Sequence, residues 1–236
     1  MNIWNLQRFR HWLALMLLAA GGVLAMRGVY GAEAAVTIAP PAIDNPKATG
    51  AAQVAVLSGG CFWGVQGVFQ HVRGVRQVLS GYAGGDRSTA QYETVSSGST
   101  GHAESVRITF NPAEISYGQL LQVFFSVAHD PTQLNRQYPD VGTQYRSAIF
   151  YADDAQKRIA EAYIAQLNRS RTFPSPIVTR VDLLKGFYPA EDYHQDYLTR
   201  YPTNPYIARF DVPKVENLKR TFPALYAERP VLALAR

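Results

Sequence analysis

The chain contains a single cysteine, Cys61, in 236 residues. A lone cysteine is more often an inert buried residue than a nucleophile, but the neighbours of this one argue the other way. The apolar run at 53–57 (QVAVL) reads as a buried strand, and 61–71 reads as a helix. Gly59 and Gly60, between them, allow a sharp turn and the close approach of a substrate. The thiol then sits at a sheet edge and at a helix N-terminus, where partial positive charge favours thiolate over thiol. Phe62 and Trp63 follow directly and are large enough to wall an apolar pocket, although core packing accounts for either ring equally well.

Other chemistries remain open on these residues. His102, His129 and His194 all follow Cys61, so a Cys–His hydrolase or acyltransferase is possible, with one of them as base. No independent motif supplies its oxyanion hole or an orienting group. A non-enzymatic sensor, in which Cys61 oxidises and changes partner affinity, is a third reading. Five histidines and one cysteine show no ligand cluster for a metal. One cysteine also excludes an intrachain disulfide framework and a CxxC redox pair.

The elements that must position Cys61 come in short segments. After the first strand and helix, 75–82 reads as a strand, followed by a polar, Gly-rich loop to 101. Residues 103–110 (AESVRITF) alternate as a half-buried strand does. Apolar residues at helical spacing predict a helix over 115–128, stopped by His129-Asp130-Pro131. A polar loop (131–144), a strand (145–151), a helix opened by Asp153 (153–168) and a strand (177–183) follow. A short helix near 190–200 leads into an irregular tail containing Pro202, Pro205 and Pro213. Two βαβ units joined strand to strand predict an α+β fold. The expected architecture is a split βαβ, ferredoxin-like two-layer sandwich with a mixed sheet and an extended irregular C-terminal tail. The two long loops are the natural sites of function.

Composition agrees with a packed domain: 47% of residues are hydrophobic and 17% charged, which excludes wholesale disorder. The net charge of +5 is scattered and lacks the basic, aromatic-interleaved run of a nucleic-acid binder. Arg8 and Arg10 precede a fifteen-residue apolar run (12–26), and Ala32 and Ala34 follow it in Ala-x-Ala spacing. This predicts a secretory signal peptide over 1–34, with an uncleaved membrane anchor as the alternative. An exported, periplasmic protein is expected. Its mature part would hold no methionine, because all three (Met1, Met16, Met26) lie in the leader. An Ala/Pro-rich linker or N-terminal arm is expected over 35–52, a catalytic domain over 53–211 and a C-terminal tail over 212–236.

The segment Gly59-Gly60-Cys61-Phe62-Trp63-Gly64 resembles the signature of the A-type peptide methionine sulfoxide reductases. The likeness continues through Gly81-Tyr82-Ala83-Gly84-Gly85, Tyr92-Glu93-Thr94-Val95 and Gly101-His102-Ala103-Glu104. It extends further to Asp140-Val141-Gly142-Thr143-Gln144-Tyr145-Arg146-Ser147-Ala148-Ile149 and Tyr193-His194-Gln195. The resemblance implies reduction of the S epimer of methionine sulfoxide, with Cys61 as nucleophile and Glu104 as proton donor. It makes Tyr92 and Tyr145 donors to the sulfoxide oxygen, has Asp140 organise that polar end, and has Phe62 and Trp63 hold the methyl group. It also implies no cofactor beyond an external thiol reductant, thioredoxin-like or small. Many relatives resolve the sulfenic acid with tail cysteines, whereas residues 196–236 contain none.

Overall fold

A computed structural model describes residues 33–46 and 49–234. The expected leader lies outside the described residues except for Glu33 and Ala34. Among the described residues, no helix is long and apolar enough to cross a membrane.

Strand β1 (Gln53–Ser58) leads into helix α1 (Phe62–Gln70), which returns to β2 (Val75–Ala83). A one-turn helix, α2 (Tyr92–Val95), interrupts the polar loop before β3 (Ala103–Phe110). Helix α3 (Tyr117–Val123) continues through a wider π-turn, Phe124–Ala128, to the stop at His129. A small hairpin, β4 (Arg136–Gln137) and β5 (Asp140–Val141), lies in the second long loop. Then come β6 (Ala148–Tyr151), α4 (Asp154–Arg169), β7 (Arg180–Leu183), β8 (Phe187–Pro189), α5 (Tyr197–Arg200) and α6 (Val212–Thr221).

The main sheet runs β7-β6-β1-β3-β2-β8. Its central four strands, β6-β1-β3-β2, are antiparallel neighbours, with β3 inserted between the two strands that α1 connects. This is the expected split βαβ arrangement. It is extended by β8, antiparallel on β2, and by β7, parallel on β6, so the sheet is mixed.

Alternation along each strand divides the sheet into two faces. Ala55 and Leu57 of β1, with Val106, Ile108 and Phe110 of β3, join the main core under α1, α3 and α4. Val56, Ala83, Ala103, Ala148 and Phe150 form a smaller cluster on the opposite face, covered by Leu184 and Phe187. Helix α1 buries Phe62, Val65, Val68 and Phe69. Asp153 caps α4 as expected, accepting from the Gln156 N–H at 2.8 Å.

Two expectations need correction. The C-terminal region is not irregular throughout: Val212–Thr221 is a helix whose Val215 and Leu218 are buried. Pro213 signalled a breaker in the sequence, but it stands in the first turn, where its missing N–H costs nothing. Of the two readings of the Ala/Pro-rich segment, the linker is the one to correct, because its described residues pack on the domain as an arm. Tyr163 donates to the Ala39 carbonyl at 2.6 Å, Gln122 donates to that of Ile38 at 3.0 Å, and the Val36 N–H donates to the Ser126 carbonyl at 2.9 Å. The Asp44 carboxylate accepts from the Gly118 N–H at 2.9 Å and from the Ser116 hydroxyl, which holds the arm to the start of α3. Asp44→Ala is expected to lower unfolding stability by about 1–2 kcal/mol, read by denaturant titration. An unchanged midpoint would mean that the arm contributes nothing to the fold.

Candidate active site

Cys61 stands at the N-cap of α1, buried at the end of β1. Gly60, at φ +88°, makes the turn, and a Cβ there would lie 2.5 Å from Gln137 Cγ. Only glycine fits both the angle and the space.

Glu104 lies on β3 with the parity of Val106 and Ile108, so its side chain enters the helix-covered face. Its Oε2 accepts from the Phe62 backbone N–H at 3.0 Å. The carboxyl thus takes one of the unpaired donors of the first turn of α1 and comes to rest beside the thiol. Burial pushes its pKa up to about 8; the Phe62 N–H opposes the rise, and Asp140 and Asp211 add to it. A carboxylic acid that is still protonated near neutrality is the result.

The structure brings the other expected groups to the same place. Burial raises the Tyr145 hydroxyl, and Glu104, Asp140, Cys61 and Tyr92 all act on it. Burial also raises Tyr92, with further contributions from Glu104 and Cys61. Asp140, on β5, accepts a short hydrogen bond from the Tyr206 hydroxyl, and burial raises its pKa. The Phe62 ring is fully buried against Tyr82 and His194, at centroid distances of 5.9 and 5.1 Å. Trp63 is only partly buried, lies flat on Tyr197 at 3.9 Å and meets Tyr206 edge-on. Of the two rings expected to hold the methyl group, Trp63 is therefore the more open.

One expectation about charge is reversed. The helix N-terminus favours a thiolate, yet the Cys61 thiol is pushed well above its ordinary value. Burial is the largest cause, followed by Glu104, Asp211 and Asp140, and the Trp63 backbone N–H opposes them. Desolvation and three carboxyl groups outweigh one helix end, so the resting thiol is neutral.

The histidines have other occupations. His102 accepts from the Gly85 N–H and donates to the Asp86 carbonyl, which holds the loop before Glu104. His129 bridges the Phe124 carbonyl and the Ser147 hydroxyl, and burial drives its pKa down to about 3. His194 Nδ1 accepts from the Trp63 indole at 3.2 Å. Gln195 bonds both backbone groups of Ser80 and locks its segment to β2. None of these rings is hydrogen-bonded to Cys61, which removes the base that a Cys–His hydrolase needs. Among the described residues, no cluster of His, Cys, Asp and Glu could hold a metal ion.

Sequence reading missed Tyr206, Glu191 and the pair Asp211–Lys214. Glu191 accepts from the Tyr82 hydroxyl at 2.9 Å and from the Tyr92 N–H at 3.0 Å, fixing the loop that carries Tyr92. Burial raises Glu191, but these donors outweigh it and hold the carboxyl below its ordinary range. The Asn204-Pro205-Tyr206 turn and the Asp211/Lys214 spacing were the available signals, and both read as tail.

The sequence profile of the family described as peptide methionine sulfoxide reductase matches residues 53–225. The chain is 61% identical over 191 residues to peptide methionine sulfoxide reductase MsrA 2 of Mesorhizobium japonicum, covering 81% of this chain and 98% of that protein. It is 50% identical over 188 residues to MsrA 2 of a Synechocystis species, covering 78% and 88%. Among solved structures it resembles reduced Mxr1 of Saccharomyces cerevisiae (TM-score 0.58, 32% identity, covering 65% of this chain and 88% of that one). It also resembles methionine sulfoxide reductase A of Corynebacterium diphtheriae (TM-score 0.56, 30% identity, covering 72% and 89%).

Glu104→Gln is expected to change stability in a pH-dependent way. The native carboxyl keeps its proton to about pH 8 while the unfolded one ionises near 4.5, so Glu104 costs native stability progressively between those values. The variant should gain on the parent from pH 4.5 to 8 and hold a constant margin above that, as read by calorimetry. A margin independent of pH would show that Glu104 titrates normally.

Proposed function

The chain belongs to the peptide methionine sulfoxide reductase family, and on that premise we propose that Cys61 carries the reaction with Glu104 as its acid. The enzyme is an oxidoreductase acting on sulfur. The observation that carries the assignment of roles is the buried Glu104 carboxyl at the first N–H of α1, beside the only thiol in the chain.

A sulfoxide seated against Trp63 presents its oxygen to Glu104, Tyr92 and Tyr145. The phenols donate hydrogen bonds without ionising, because their environment holds their protons. Glu104 gives its proton to the oxygen, which leaves the substrate sulfur cationic. Positive charge arriving beside Cys61 reverses the field that kept the thiol neutral, and the sulfur attacks. The bond from substrate sulfur to oxygen breaks and a bond from Cys61 sulfur to oxygen forms. Methionine sulfur is reduced, Cys61 is oxidised to a sulfenic acid, and the thiol proton returns to Glu104. Asp140, tied to Tyr206, holds the loop that brings Tyr145 to the site.

No second cysteine exists to attack the sulfenic acid. Two equivalents of an external thiol reduce it, giving the Cys61 thiol, a disulfide and water. We assign that role to a thioredoxin-like protein or a small thiol. The basic, apolar leader supports an exported protein that repairs oxidised methionine in the periplasm, with membrane contact only through that leader.

The test uses separated S and R epimers of a blocked methionine sulfoxide with dithiothreitol. The S epimer alone should be consumed, and Cys61→Ser should abolish its loss. Glu104→Gln should lower kcat about 10²–10⁴-fold. Without reductant, release should stop at about one methionine per chain, because each thiol can take one oxygen. Consumption of neither epimer would overturn the assignment, and many turnovers without reductant would overturn the external-thiol step.

A further inference from the structure

Beneath the start of α1 lies a buried ion pair that the reaction as described does not use. Lys214 Nζ lies 3.2 Å from Asp211 Oδ1, and both side chains are removed from solvent. The pair abuts Gly64, one helical turn after Cys61: a Cβ on Gly64 would lie 2.1 Å from Asp211 Oδ1 and 3.1 Å from Lys214 Nζ. Helix α6 therefore presses its one buried ammonium against the turn that carries the nucleophile. Glu33, at the start of the described chain, also acts electrostatically on the same ammonium. Gln133 and Gln137 donate to the Glu33 carboxylate, and Asn217 of α6 donates to its backbone carbonyl.

The acidic groups around Cys61 are Asp140 from β5, Asp211 from the turn before α6 and Glu104 from β3, the last of which keeps its proton near neutrality. The neighbouring phenols, Tyr92, Tyr145 and Tyr206, are neutral donors. A buried lysine without a reason to be there costs several kcal/mol of desolvation. Lys214 satisfies Asp211 only in part, since Asp211 Oδ2 is buried with no hydrogen-bond partner among the described residues.

We propose that Lys214 is a positioning residue for the reaction at Cys61: its ammonium, held under α1 by Asp211, offsets the surrounding carboxylates and makes the sulfur ionisable. The inference rests on Cys61 as the nucleophile. Lys214 touches neither oxygen nor substrate and acts through the sulfur. Burial lowers the pKa of the ammonium, but it keeps its charge because its acidic partners, Asp211 first and Glu33 next, outweigh that effect. Asp211 acts in both directions: it anchors the cation, and it adds a negative charge that opposes thiolate formation.

The sign of the effect can be tested in the full chain, because one cysteine makes alkylation unambiguous. The rate of iodoacetamide labelling is measured from pH 5 to 10 for the parent, Lys214→Met, Lys214→Arg and Asp211→Asn, with unfolding midpoints alongside. Lys214→Met should slow labelling about tenfold at every pH below the ionisation midpoint of Cys61, the equivalent of raising that midpoint by about one unit. Lys214→Arg should restore most of the rate. Asp211→Asn, which breaks the same pair, should move the midpoint down. A structural role alone would destabilise both disruptive variants without opposite shifts, so unchanged midpoints, or shifts in one direction, overturn the proposal. If Lys214→Met fails to fold, the sign for Asp211→Asn and the rate for Lys214→Arg still decide it. Labelling does not depend on reductase turnover. Normal shifts in a chain that consumes no sulfoxide would sink the reductase roles and leave Lys214 acting on the thiol.

Discussion

The hydrogen bond from the Phe62 backbone N–H to the Glu104 carboxyl is the contact on which the site depends. It joins the first turn of α1 to the central strand β3 and sets the Glu104 carboxyl beside the Cys61 thiol with backbone precision. An unpaired helix donor and a buried carboxyl would each be costly alone. Paired, they satisfy one another and leave the second carboxyl oxygen for a reacting group. The partner strand supports the geometry: Tyr82 lies opposite Glu104 across β2 and β3, and its hydroxyl reaches Glu191, which in turn holds the Tyr92 N–H.

Around that contact the site is acidic and dry. Burial and three carboxyl groups hold the Cys61 thiol neutral at rest. A buried thiolate would be open to any oxidant that reached it, whereas a thiol that ionises only when a protonated sulfoxide arrives reacts with its own substrate. The lone cation beneath α1 makes such a balance adjustable. Here Lys214 comes from α6.

The frame around the site is rigid for reasons that are visible in its bonds. The Gln195 side chain bonds both backbone groups of Ser80 on β2, donates to the Ala190 carbonyl just after β8 and accepts from Gln66 of α1, and Trp63 is clamped by Tyr197 and His194. The N-terminal arm crosses α3 and α4 through backbone carbonyls and the Asp44 carboxylate. Its first described residue, Glu33, ends beside Gln137, which packs on Gly60 next to Cys61. The arm and the C-terminal helix thus meet behind the nucleophile.

Much of this was legible in the residues. The glycine pair before Cys61, the strand alternation and the helical spacing determine local structure, so the central βαβ units and the placement of Cys61 at a helix start followed from sequence alone. Glu104 was singled out only by the family resemblance: the strand by itself did not say that a carboxylate would face inward, and the structure shows that it shares the parity of Val106, Ile108 and Phe110. Pro213 misled because proline ends a helix in its interior but is welcome in its first turn, and sequence does not say which turn it occupies. The sequence by itself determined the single thiol and its place at a helix start, the absence of a second cysteine and the order of the elements, because these depend on residue type and short-range periodicity. Only the tertiary structure decided the charge state of the thiol, the elevated pKa of Glu104 and the approach of Lys214 to α1. Those depend on desolvation and on distances between groups far apart in the chain, which no local pattern encodes.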